Sequence, residues 1–253
     1  MNSKQWESFC DYKEQLKNIV YEKNEIIDEI QKIQNRIIDE KNLKYKLENS
    51  LVYNKAYEEI TQNSEIKLIV VGDNPGWEEQ LEKNQKYLVG QAGRIAEGYF
   101  RRNSELNVDF RKDVIITNKI PVHTPKTVDI KEFYKLKDEK LSEYLDNLEI
   151  KMAEITSELH KNLCNFSEDE KNCQLWMVGY SELKNKGIFS LYREKIKDLY
   201  KDDKNWENVY VFQHFSMNRF TIDLNDFMKK NNLTDLNQSI EMLGKLHKEE
   251  IFQ

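Results

Sequence analysis

Four short runs in this chain are apolar almost from end to end, and each stops at a glycine or a polar residue. They are Lys67-Leu-Ile-Val-Val-Gly72, Asp113-Val-Ile-Ile-Thr-Asn118, Gln174-Leu-Trp-Met-Val-Gly179 and Asn208-Val-Tyr-Val-Phe-Gln213. A strand with one wet face alternates apolar and polar residues. A strand that is apolar throughout is buried on both faces, as in a parallel sheet covered by helices. Helical patterns separate the runs, at Arg94–Asn103, Asp129–Asn162 and Ser190–Tyr200. Strands alternating with helices read as βαβ crossovers. The expected fold class is therefore α/β, a three-layer αβα sandwich around a four-stranded parallel sheet.

Both ends of the chain read as helix. Residues from Lys4 to Gln62 contain no glycine or proline, in a chain that has only eight and three of them. Ile19, Ile26 and Ile33 recur every seven residues, Ile30 and Ile37 fall between them, and Leu43, Leu47 and Leu51 continue the stripe. This predicts one long helix or a helical hairpin, with a break near Asn49-Ser50. The heptad-like seam would allow a homo-oligomer, although Lys23 and Lys44 interrupt it and folding back onto the core is the simpler use. Leu236, Ile240, Leu243 and Leu246 predict a helical tail. The expected organisation is a helical extension over 1–63, an α/β domain over 64–223 and a helical segment over 224–253.

No stretch approaches the roughly 20 apolar residues that span a bilayer, and the polar N-terminus does not read as a secretory signal. Cys10, Cys164 and Cys173 offer no short metal-binding pair, so three free thiols in a reducing, cytoplasmic compartment are expected, with no metal and no cofactor. The net charge of −6 is unlike that of most nucleic-acid binders. The acidity is not uniform, since residues 66–128 hold ten Lys/Arg against eight Asp/Glu.

In open α/β sheets ligands bind beyond the carboxyl ends of the strands. After the first run comes Gly72-Asp-Asn-Pro-Gly-Trp-Glu-Glu79, a tight turn with Asp73 and Asn74 as acceptors able to orient a water. Leu88-Val-Gly-Gln-Ala-Gly-Arg94 then enters a helix whose first amides can face an anion. Asn118 closes the second run, and Gln213-His-Phe-Ser-Met-Asn-Arg-Phe220 follows the fourth.

These four pieces, in this order, resemble the motifs of the uracil-DNA glycosylase superfamily. GDNPGWEE is similar to its first motif (G-Q-D-P, G-x-N-P-G or G-E-x-P-G), and YLVGQAGRI to P-F-V-G-x-A-G-x-L. VIITN is similar to its second strand, and HFSMNRF to its H-P-S motif. The resemblance covers about residues 66–220. It implies the glycosylase fold and hydrolysis of the bond between deoxyribose and uracil or another deaminated base in DNA, as in base-excision repair.

Residue by residue, it implies catalytic roles for Asn74, which positions water, for His214, which stabilises the departing base, and for the adjoining Asp73. Substrate contacts are implied for Gly72, Pro75, Gly76, Glu79, Tyr87, Leu88, Asn118 and Ser216, with Asn118 reading the base edge. Met217, Asn218, Arg219 and Phe220 are implied as DNA contacts, with an apolar wedge among them, and Arg101, Arg102, Lys119 and Arg219 as a basic rim. The chain also departs from the family. Leu88 stands in place of a stacking Phe, with Tyr87 beside it as a substitute. Phe215 replaces the Pro of H-P-S, Gly76 occupies a position that carries Tyr in the most familiar branch, and the iron–sulfur cysteines are missing. The alternative is a superfamily member that no longer hydrolyses and instead binds a base, nucleotide or nucleic acid, or acts as an interaction protein through its N-terminal helices.

Overall fold

The computed structural model describes residues 1–22, 25–167 and 173–253. Four strands, β1 (Leu68–Gly72), β2 (Val114–Asn118), β3 (Gln174–Val178) and β4 (Val209–Phe212), form one sheet in the order β2-β1-β3-β4. All pairings are parallel, with Leu68 opposite Val114 and Gln174, and Leu175 opposite Val209. The helices are α1 (Ser3–Tyr21), α2 (Glu25–Glu40), α3 (Gln91–Arg102), α4 (Lys131–Tyr134), α5 (Glu139–Asn165), α6 (Ser190–Leu199), α7 (Arg219–Lys230) and α8 (Leu236–Phe252).

The apolar strands feed two separate cores because successive side chains leave opposite faces. Ile69, Val71, Ile115, Leu175, Met177, Val209 and Val211 pack with α1, α2, α5 and α6. Leu68, Val70, Val114, Ile116, Trp176, Val178, Tyr210 and Phe212 pack with α3 and α7 on the other face. α8 packs along β4, giving Ile240 and Leu243 to one core and Ile251 to the other. The three-layer α/β expectation is met.

The ends of the chain are part of these cores. Phe9, Tyr12, Leu16 and Val20 of α1, with Ile30, Ile33 and Ile37 of α2, are buried in the same cluster as the sheet. The stripe that would allow two copies to pair is thus largely covered by the chain itself, the simpler use expected of it. Lys23 lies outside the described residues.

The reading of one long helix or hairpin fails between Lys41 and Gln62, where the only helical piece among the described residues is a 3-10 turn at Lys55–Glu59. α2 ends at Glu40, and Leu43, Leu47 and Leu51 belong to irregular chain in which Leu51 bridges Val122. Tertiary hydrogen bonds override the local pattern: Gln80 Oε1 accepts from the amides of Glu48 and Asn49, and Asn49 Nδ2 donates to the Gln80 carbonyl. The expected 129–162 helix is likewise divided. Thr127–Ile130 is a 3-10 turn, α4 follows, and α5 restarts where Asp138 accepts from the Leu141 amide as an N-cap. The tail is two helices, the second capped by Asp235.

Candidate functional site

β2 and β3 flank β1 on opposite sides, and the connections between them pass over opposite faces, α3 on one and α5 on the other. That reversal leaves a crevice beyond the carboxyl ends of the strands. A cavity of about 870 Å³ lies there. Residues from the ends of all four strands line it, including Asp73, Asn74, Asn118, Gly179 and His214.

Asn74 is fixed by the loop after β2. Its Nδ2 donates to Thr124 Oγ1 at 2.8 Å and to the Val122 carbonyl at 3.2 Å. Those bonds spend its donors and leave Oδ1 without a partner among the described residues. Asn118 has the complementary shape. Its Oδ1 lies over Gly72, where a Cβ would sit only 2.5 Å away, so a side chain at position 72 would displace it. Its Nδ2 is buried without a hydrogen-bond partner, in a residue 2% exposed. A buried amide donor left unpaired costs about 1–3 kcal/mol, and here it lines a cavity.

His214 follows β4. The Ser216 backbone N–H donates to its Nδ1 at 3.1 Å, and Ser216 Oγ lies 2.9 Å from the same atom. A backbone amide only donates, so Nδ1 is an acceptor and the ring proton sits on Nε2. Burial pushes the imidazole pKa down, which favours this neutral form. Glu79, also in the lining, accepts from the Gly76 amide at 3.2 Å, and burial pushes its carboxyl up to about 7.

Asp73 is held from below by Lys119. The ammonium donates to Asp73 Oδ1 at 2.6 Å, to the Val178 carbonyl at 2.5 Å and to the Gly72 carbonyl at 3.3 Å, and it sits over the Phe189 ring. Lys119 is completely buried and is no part of a basic rim. Arg101 and Arg102 are exposed on α3 but do not line the cavity. The charged groups that do line its mouth are Arg94, paired with Glu78 at 3.1 Å, together with Lys126, Arg219 and Glu182.

Gly76 and Leu88 line the cavity, whereas Gly72, Pro75 and Asn218 do not; Pro75 instead gives its carbonyl to the Thr124 amide at 3.3 Å. Two expected contacts are corrected. Tyr87 is a core residue whose hydroxyl donates to the Val52 carbonyl, so it does not replace a stacking Phe. Phe220 is 1% exposed and packs on Tyr99, Trp176, Phe212 and Phe215, so it is no wedge. Both aromatics gain more by filling the core than by facing a ligand. Met217 is the exposed apolar residue of that loop, and Met217 and Asn218 both hold the left-handed conformation at φ +52° and +57°.

Sequence reasoning missed Lys119 as a clamp, Thr124 as the anchor of Asn74, and Gly179. Gly179 has φ +98°, and a Cβ there would meet Asp73 Oδ1 at 2.3 Å. The glycine after β3 was the available signal. The three cysteines are free, and no His/Cys/Asp/Glu cluster suited to a metal ion occurs among the described residues. No helix among them is long and apolar enough to cross a membrane. No family model, curated protein or solved structure matches this chain.

Proposed function

We propose that this protein is a DNA glycosylase that hydrolyses the N-glycosidic bond of uracil or another deaminated base. The observation that carries the reading is the meeting of Asn74, Asn118 and His214 in one cavity, with the Asn118 amide donor buried and unpaired. Such a donor suits a carbonyl oxygen on the base edge. Cleavage of the bond between C1′ and the base nitrogen sends its electron pair to the base, and the neutral His214 Nε2–H can stabilise that anion. Water adds its oxygen to C1′, positioned by Asn74 Oδ1, and the Asp73 carboxylate lies beside it as proton acceptor. The base has to leave the stack to enter the cavity.

The test is alkaline strand cleavage of labelled oligonucleotides that each contain one uracil, single-stranded and duplex. Wild type should release uracil, and Asn74→Ala or His214→Ala should each lose about a hundredfold or more. No release of uracil, hypoxanthine or xanthine at high protein concentration would end the hydrolytic reading. A second reading, binding of a base or nucleotide without hydrolysis, is favoured by Glu78 and Glu182 at the mouth and by Arg101 and Arg102 outside it. Under that reading, calorimetry detects binding of free uracil or a nucleotide while cleavage stays absent.

A further inference from the structure

Trp77 stands at the mouth of the cavity with 47% of its surface exposed. It follows Asn74 by three residues, and the turn that carries both is braced from behind. The Pro75 carbonyl can only accept, so His123 Nδ1 donates to it at 2.9 Å. The other ring nitrogen, Nε2, is then the acceptor for the Tyr45 hydroxyl at 3.0 Å. The Tyr45 ring in turn packs against Trp77, with centroids 5.9 Å apart and planes 31° off parallel. One edge of the indole is therefore held by the protein, while much of the ring stays in water beside the cavity.

Exposure alone does not mark Trp77, but an indole whose orientation is fixed at a cavity that Asn74 also lines offers a flat face on which a base can stack. The surrounding charges say what kind of partner fits. Lys126 and Arg219 line the same mouth, both exposed and neither in an ion pair among the described residues, so they are free to meet phosphates. A flat ring and unpaired cations on the lining of one cavity are the combination that single-stranded nucleic acid uses, with bases on aromatics and backbone on Lys/Arg.

We propose that Trp77 is a stacking platform for the nucleobase adjoining the one in the cavity, and that it makes single-stranded DNA the preferred substrate. The proposal rests on the glycosylase reading of the same cavity. In a duplex the neighbouring base already stacks on both sides within its own strand, so it is not available to Trp77. In a single strand it is free to turn onto the indole. Stacking of this kind tolerates any base, since each presents a π-face, so little sequence preference beside the target is expected.

The experiment uses the full chain and a short oligonucleotide carrying 2′-fluoro-2′-deoxyuridine, whose fluorine slows cleavage so that binding can be measured. Wild type should bind the single strand more tightly than the duplex, with quenching of tryptophan fluorescence. Trp77→Ala should weaken single-strand binding by about tenfold or more, abolish the quenching and leave duplex binding little changed, with Trp77→Phe in between. Equal binding by wild type and Trp77→Ala, or duplex bound as tightly as single strand, overturns the proposal. Uracil release is followed in parallel on an unmodified strand. Trp77-dependent binding without release removes the hydrolytic reading and keeps the platform. Release that is indifferent to Trp77 and to strandedness removes the platform and keeps the hydrolytic reading. No binding to either form of DNA removes both.

Discussion

Lys119 Nζ lies 2.6 Å from Asp73 Oδ1 at a point where neither side chain gives its charge to bulk water. The lysine also takes the terminal carbonyls of Gly72 and Val178, so one ammonium ties together the ends of β1 and β3 on either side of the crevice. Lys119→Met removes the charge partner of a buried carboxylate and the ammonium from the Val178 carbonyl, while the backbone N–H at position 119 still serves the Gly72 carbonyl, and should cost about 3–5 kcal/mol. Chemical denaturation measures it. Adding Asp73→Asn should recover part of the loss, because the two residues are coupled; additive losses would show that they are not.

Asn118 should behave in the opposite way. Its unpaired Nδ2 is a liability to the folded state, of about 1–3 kcal/mol. Asn118→Ala should therefore leave the melting temperature unchanged or raise it, while base binding and excision fall steeply. A large loss of stability would mark Asn118 as a structural residue.

Gly179 and Gly76 offer a contrast within one cavity wall. Gly179→Ala puts a Cβ onto the Asp73 carboxylate and strains a backbone at φ +98°, so a loss of more than about 1 kcal/mol is expected. Gly76→Ala meets nothing within 4 Å and should fold as wild type. Thermal melts of the two variants distinguish strain from a general intolerance of the site.

Buried carboxyls set a pH dependence whose sign is unusual for acids. Burial pushes both Glu79 and Glu149 up from 4.5 to about 7. The folded state therefore holds their protons more tightly, and the stability this contributes is complete below pH 4.5 and lost as pH rises through about 7. Glu79→Gln should gain stability over wild type above that range, on the order of 3 kcal/mol at about 1.4 kcal/mol per pKa unit. Near pH 4.5 the gain should vanish. His123 and His160, pushed down by burial from 6.5 to about 4, act the other way and remove stability as pH falls through that interval. Denaturation midpoints across pH, with and without Glu79→Gln, separate the two contributions.

The strands were legible because burial on both faces removes the polar half of the pattern, leaving Leu68–Gly72 and its three counterparts as continuous apolar runs. Asn74, Asn118 and His214 were legible because each ends a strand or lies two residues beyond its end. Lys119 was not, since a lysine after a strand ordinarily reaches solvent, and only the three acceptors gathered around it make burial favourable. Tyr87 and Phe220 misled for a related reason: aromatics beside a motif read as ligand contacts, whereas their rings fill the core. Residues 41–62 lack glycine and proline, and nothing local announces that Gln80 will take the amides of residues 48 and 49 from a helix.

α1 buries Phe9, Tyr12 and Leu16 in the same core as α5, which ends at Asn165. During synthesis the ribosome releases α1 well before α5 is complete, by roughly 7–30 s at about 5–20 residues per second. Throughout that interval Phe9 and Tyr12 have at most Tyr57 to pack on and lack the face of α5, which leaves a partly covered aromatic stripe on the nascent chain. The N-terminal helix is thus among the first parts made and among the last to be fully covered.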